Sequence, residues 1–272
     1  MSRTDKGAIL VVEGLKKSFG AVVAAKDINL SFLENETIGI IGANGAGKTT
    51  FVNMVTGYLI PSAGTIHYLG KDITGAPPHK LARMGLCRSF QIPQTFMTLS
   101  VYENLLIALG IAQGGAFPAF RALDTPARSR QAEDLMKQYK LWEHRYQQLD
   151  MLSQGVRKLV DIAMATVGSP KLLLLDEPTS GISSEEKFDI MEIVMQALRQ
   201  QQITVFFIEH DMDIVSRYSD RVIAFYNGRV IADGASDKVL TDKEVQEFVI
   251  GVHLGHEKLH AKCVQEISKQ QE

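Results

Sequence analysis

Residues Gly42-Ala43-Asn44-Gly45-Ala46-Gly47-Lys48-Thr49 fit the pattern G-x-x-x-x-G-K-[ST]. What flanks them makes the pattern constraining. Thr37-Ile38-Gly39-Ile40-Ile41 is an apolar run of strand length, and Thr50-Phe51-Val52-Asn53-Met54-Val55 has the apolar spacing of a helix. A strand, a glycine-rich turn and a helix start, in that order, form a cradle. Glycines let the backbone curl until its N–H groups converge, the helix N-terminus adds a favourable dipole, and Lys48 supplies a positive charge. Such a cradle suits the β- and γ-phosphates of ATP, with the Thr49 hydroxyl on Mg2+. The expected ATP-binding residues of the loop are Gly42, Asn44, Gly45, Gly47, Lys48, Thr49 and Thr50.

A second feature completes the chemistry. Leu172-Leu173-Leu174-Leu175-Asp176-Glu177 puts two acids at the C-terminal end of an apolar strand, where open α/β sheets place their ligand sites. Consecutive side chains point to opposite sides. Asp176 is therefore the candidate for holding Mg2+ and its waters, and Glu177 for polarising the water that attacks the γ-phosphate.

Elsewhere the pattern indicates an α/β fold. The apolar runs of Leu172-Leu173-Leu174-Leu175 and Val205-Phe206-Phe207-Ile208 alternate with helical segments, which argues for buried parallel strands in βαβ units. Before the cradle, Ala8-Ile9-Leu10-Val11-Val12 and Ile28-Asn29-Leu30-Ser31-Phe32 alternate as strands around the turn-prone Gly20 and Asn35, predicting an antiparallel β unit. Residues 101–148 read as an inserted helical lobe, interrupted by Gly114-Gly115, Pro118 and Pro126. The expected architecture is a P-loop NTPase core with an antiparallel β subdomain and an inserted α-helical subdomain. Its nucleotide-binding domain spans residues 8–251, with the helical subdomain at about 98–165, followed by a polar C-terminal tail at 252–272.

Composition excludes several other classes. With 272 residues, 45% of them apolar, the chain can bury a large core. Lys plus Arg (29) nearly balance Asp plus Glu (31), which removes the basic signature of a nucleic-acid binder. No apolar stretch approaches the ~20 residues of a spanning helix. The charged start, Met1-Ser2-Arg3-Thr4-Asp5-Lys6-Gly7, has neither a signal-peptide core nor a lipidation motif, so the expected location is cytoplasmic. Cys87 and Cys263 lack paired-ligand spacing and read as free thiols.

Five further elements, in order and at characteristic spacing, make the chain resemble the nucleotide-binding domains of ABC transporters. Phe19 matches the adenine-stacking aromatic, Gln91 in Arg88-Ser89-Phe90-Gln91 the Q-loop glutamine, and Leu152-Ser153-Gln154-Gly155-Val156 the LSGGQ signature. Ser180-Gly181-Ile182-Ser183 resembles the D-loop, and His210 matches the switch histidine. The resemblance covers residues 9–251 and implies specific roles. Glu177, His210 and Gln91 are catalytic; Thr49, Gln91 and Asp176 serve the metal; and Ser153, Gln154 and Gly155 face the ATP held by an opposite subunit. Two signature positions depart from the family, Gln154 in place of glycine and Val156 in place of glutamine, and the D-loop has Ser183 where an aspartate is usual.

The resemblance also implies an ATPase dimer, of identical or related subunits, on transmembrane permease subunits at the cytoplasmic face of the inner membrane, with a periplasmic binding protein as an indirect partner. The runs Phe90-Gln91-Ile92-Pro93-Gln94-Thr95-Phe96, Val101-Tyr102-Glu103-Asn104-Leu105 and Ile208-Glu209-His210-Asp211-Met212 look most like ATPases that import branched-chain and other hydrophobic amino acids. Relatives handling urea, amides or aromatic acids share the pattern, as do ATPases of lipid-type exporters. A soluble ABC ATPase would need paired cassettes, a coiled-coil insertion or a basic surface, none of which is visible.

Overall fold

The computed structural model describes residues 7–89, 95–113 and 123–251. Its framework is a six-stranded sheet in the order β10-β9-β3-β8-β7-β6, formed by β3 (Thr37–Gly42), β6 (Leu86–Ser89), β7 (Leu172–Asp176), β8 (Thr204–Ile208), β9 (Arg221–Tyr226) and β10 (Arg229–Ala235). The pairs β9–β3, β3–β8, β8–β7 and β7–β6 are parallel, and only β10 is antiparallel to its neighbour.

The continuous apolar runs are explained by burial on both faces. Leu173, Leu175, Val205 and Phe207 face a helical core, whereas Leu172, Leu174, Phe206 and Ile208 face a second core. A strand covered on both sides has no polar face, so alternation disappears from the sequence.

The second core lies under a four-stranded antiparallel sheet, β2-β1-β4-β5. Its long hairpin joins β1 (Ala8–Phe19) to β2 (Val22–Leu33), with β4 (Ala63–Tyr68) and the short β5 (Lys71–Asp72) on the other side of β1. Helix α1 (Lys48–Val55) is clamped between the two sheets, where Phe51 lies 5.5 Å from Phe225 and 6.5 Å from Phe32, ring centroid to centroid. Both expected N-terminal strands are present, longer than the sequence suggests. The strands extend to Phe19 and start again at Val22 because β-bulges, visible as register shifts, take up the breaks in alternation.

The helical side carries α3 (Val101–Ala112), α4 (Pro126–Gln138), α5 (Gln154–Thr166), α6 (Lys187–Gln200) and α7 (Met212–Tyr218), whereas the short α2 (Pro78–Arg83) sends Leu81 into the second core, and the chain continues into α8 (Ser236–Leu240) and α9 (Lys243–Val245). Pro126, expected as an interruption, occupies the first turn of α4, where its missing N–H is no loss. Helix α3 begins with a capping box: the Ser100 hydroxyl accepts from Glu103 N, and the Glu103 carboxylate accepts from Ser100 N. The buried Asn104 holds the turn that precedes it, accepting from Phe96 N (2.8 Å) and donating to the carbonyls of Phe96 (3.1 Å) and Ser100 (2.9 Å). Among the described residues no helix is long and apolar enough to cross a membrane.

Candidate functional site: a phosphate cradle at the strand ends

Strand β3 is buried along its whole length and delivers the chain to the cradle at the carboxyl edge of the sheet. Two glycines are required there by position. At Gly42 (φ 154°) a Cβ would lie 2.6 Å from the Phe225 carbonyl oxygen, and at Gly47 (φ 105°) it would lie 2.7 Å from the Ala24 carbonyl oxygen. The loop is thus wedged between β9 and the β1–β2 hairpin, and Gly228 N donates to the Ala46 carbonyl at 2.9 Å.

Lys48 is buried and its side chain curls back over the loop, Nζ donating to the carbonyls of Gly42 (2.5 Å) and Ala43 (3.2 Å). Burial lowers its pKa, and the carboxylates of Glu177 and Asp176 pull in the opposite direction. Lys48 thus shares one site with two acids. A cavity of about 140 Å3 contains residues 44–50 together with Asp176, Glu177, Ile208 and His210. Six of the seven expected loop contacts line it; Gly42 instead forms its hinge.

Across the cavity, Asp176 and Glu177 both contribute to the lining but meet different partners. Asp176, paired in register with Ile208 at the end of β7, has its Oδ2 2.5 Å from Arg88 Nη2. Glu177 turns off the strand with φ 46°, its N–H donating to the Ile208 carbonyl at 3.0 Å. That left-handed conformation is costly for a side chain bearing a Cβ, and it aims the carboxylate at His210, with Nε2 3.4 Å from Oε1. Asp211 fixes the start of the next helix, accepting from the N–H groups of Asp213 (3.0 Å) and Ile214 (3.3 Å) and pairing with Lys187.

The remaining candidates lie elsewhere. Phe19 is 51% exposed at the end of β1, outside the cavity but on the hairpin that abuts the loop. Ser153 caps α5, accepting from Val156 N at 3.4 Å, and is exposed with Gln154 away from the cavity. Gln154 folds back on its own chain, donating to the Ser180 carbonyl at 3.3 Å beside Gly181. Gln91 lies outside the described residues, as do the tail at 252–272 and residues 114–122 of the expected helical lobe.

Two contributors to this geometry escape sequence reasoning. One is Arg88, which pairs with Asp176 from the neighbouring strand. Glu209 is buried, its Oε1 accepting from Thr179 N (2.9 Å) and Oγ1 (2.7 Å) and its Oε2 from His210 N (3.2 Å), so it ties the turn after Glu177 to the residue that carries the imidazole. The available signal was an acid directly after an all-apolar strand, beside a histidine. Glu209→Ala leaves buried donors unsatisfied, and a loss of roughly 2 kcal/mol in unfolding free energy, read by denaturant titration, is expected.

As for metal, the Thr49 hydroxyl and the Asp176 carboxylate are hard oxygen donors on two elements facing one cavity, the donor chemistry that Mg2+ takes together with phosphate oxygens and water. The residues present fit that ion.

A mostly parallel sheet with a glycine-hinged phosphate loop at its carboxyl edge, and two acids and an imidazole across from it, defines a P-loop nucleotide-hydrolysing protein. Comparison with known proteins narrows the class. The ABC transporter family matches residues 25–180. LivG, the high-affinity branched-chain amino acid transport ATP-binding protein of Salmonella typhimurium, is 34% identical over 250 residues, covering 89% of this chain and 98% of that protein. BraF of Pseudomonas aeruginosa, described in the same terms, is 33% identical with the same coverage. Among solved structures, the ADP conformation of an ATP-binding cassette of an ABC transporter superposes with a TM-score of 0.79 at 33% identity, covering 89% of this chain and 98% of that one. The chain belongs to the ABC transporter family as an ATP-binding, ATP-hydrolysing subunit.

Proposed function

We propose that this ATPase energises the import of branched-chain or other hydrophobic amino acids. The observation that carries this reading is its likeness, over nearly the whole length of each partner, to ATP-binding proteins of branched-chain amino acid transport from several organisms. In this reading residues 8–251 form one nucleotide-binding domain, with the helical subdomain at about 98–165. It works as a dimer on permease subunits at the cytoplasmic face of the membrane, supplied by a binding protein.

The geometry supports a division of labour. The loop from Gly42 to Thr50 and Lys48 bind the phosphates, and Phe19 stacks on adenine from the hairpin beside it. Thr49, Asp176 and Gln91 would hold Mg2+, which would supply positive charge to offset that of the phosphates. Glu177 accepts the proton of the attacking water, and His210, oriented through Glu209 and Asp211, contacts the γ-phosphate. Ser153, Gln154 and Gly155 serve the ATP of the opposite subunit. That none of them lines the cavity of its own chain, with Ser153 and Gln154 exposed, supports a head-to-tail dimer, since an N-cap hydroxyl and helix N-terminus suit an anion brought by a partner.

The test is purification from native membranes with co-purifying proteins identified and ATPase activity measured against candidate solutes. Two polytopic permeases, with hydrolysis stimulated by branched-chain amino acids through a binding protein, are expected. Stimulation by a different solute class reassigns the cargo, and recovery of no membrane protein overturns the transport reading for this chain.

A further inference from the structure

We propose that Arg88 is a positioning residue for the metal site: its guanidinium fixes the Asp176 carboxylate relative to the helix that carries Thr49. The proposal rests on the assignment of Asp176 and Thr49 to Mg2+. Arg88 lies on β6, in register with Leu174 of the neighbouring β7. Its Nη2 donates to Asp176 Oδ2 at 2.5 Å and its Nη1 to Asn53 Oδ1 at 2.6 Å. Asn53 follows Thr49 by one turn of α1, so both lie on one face of that helix. One planar fork therefore spans the two elements that carry the metal ligands.

Charge and burial favour this role. The Arg88 and Asp176 side chains retain only 10% and 12% of their exposure, so the pair is largely desolvated and its geometry narrowly defined. With Oδ2 occupied by Arg88, Asp176 has Oδ1 left to offer to a metal and its waters. The adjacent Ser89 faces the other way, its hydroxyl donating to Asp161 Oδ2 of α5 at 2.6 Å, which anchors β6 against rotation. Lysine cannot reproduce the arrangement, because an ammonium is a point charge on a flexible stem rather than a rigid fork with two outward donors. A role of Arg88 as a simple counter-charge would survive that replacement; a positioning role does not.

The experiment titrates Mg2+ into the full-length protein while following equilibrium binding of fluorescently labelled ADP, with a parallel measurement in EDTA. Arg88→Lys and Arg88→Gln are each expected to raise the Mg2+ midpoint about tenfold, as loss of a partner behind a metal ligand does. Binding in EDTA should stay within about twofold, because the phosphate loop is untouched. Asn53→Ala keeps the ion pair and removes the tether, and its midpoint should rise in the same direction. A wild-type midpoint in Arg88→Lys overturns the proposal, as does a lowered midpoint in Arg88→Gln, which would make Arg88 a competitor of the metal. Asn53→Ala decides the matter if the Arg88 variants fail to fold, an unchanged midpoint sinking the idea. Asp176→Asn separates the two layers. If it shifts the midpoint while the Arg88 and Asn53 variants do not, the positioning proposal alone fails; if it leaves the midpoint in place, the assignment of Asp176 fails and takes the proposal with it.

Discussion

Glu177→Gln is expected to suppress ATP turnover by about 10²- to 10⁴-fold, the range lost with a general base, while ATP still binds. The structure makes this a clean substitution. Glutamine keeps the size of Glu177 and can occupy the same turn off β7, where the backbone bond from Glu177 N to the Ile208 carbonyl does not depend on the side chain. The lost property is proton acceptance 3.4 Å from His210 Nε2. Because the proposed phosphate contacts, the loop and Lys48, are untouched, binding is expected to survive. On the proposed head-to-tail dimer, a protein that binds ATP and cannot cleave it should accumulate as dimer, visible as an ATP-dependent shift in size-exclusion chromatography. Turnover at the wild-type rate would remove Glu177 from its role, and loss of binding would mean that the carboxylate is structural.

Lys48→Ala is expected to weaken ATP binding by roughly 10- to 150-fold, the equivalent of about 1.5–3 kcal/mol for hydrogen bonds to a charged group. Nothing comparable is expected in stability. Burial already disfavours the Lys48 charge and lowers its pKa, so deletion relieves a desolvation penalty while removing two bonds to loop carbonyls, those of Gly42 and Ala43. The combination of a large calorimetric loss of affinity and a nearly unchanged melting temperature distinguishes a ligand-binding lysine from a structural one. Unchanged affinity would count against the assignment of the phosphate loop.

The parts of the site readable from sequence are those in which chemistry and local backbone coincide. Residues 42–49 are a strand end, a turn and a helix start in one stretch, and Asp176 with Glu177 ends a run too apolar to lie anywhere but inside. What stays hidden depends on partners distant in the chain. Arg88 meets Asp176 across 88 positions, and nothing local in Arg88-Ser89 distinguishes the inward fork from a surface arginine. Glu209 looks like any acid after a strand until Thr179 folds over it. The short strands β4, β5 and β6 leave little alternation to detect, since β5 has two residues and β6 four. The departure at Gln154 becomes intelligible only in three dimensions, where its amide lies on the Ser180 carbonyl and Gly181 contributes no Cβ to obstruct it.

The placement of β3 between β8 and β9 bears on how the protein is made. Thr37, at the head of β3, bonds through its N–H to the carboxylate of Asp220, 183 residues later, and Gly42 closes against Phe225. During synthesis the phosphate loop therefore leaves the ribosome long before the strands that brace it exist. At ordinary elongation rates that interval is on the order of ten seconds or more. Throughout it β3, an uninterrupted hydrophobic strand with two unpaired edges, must be sheltered by the β1–β2 hairpin, α1 or a chaperone. Nascent chains halted before residue 204 should accordingly be unable to form the cradle, and nucleotide would favour the folded state only after β8 and β9 have emerged.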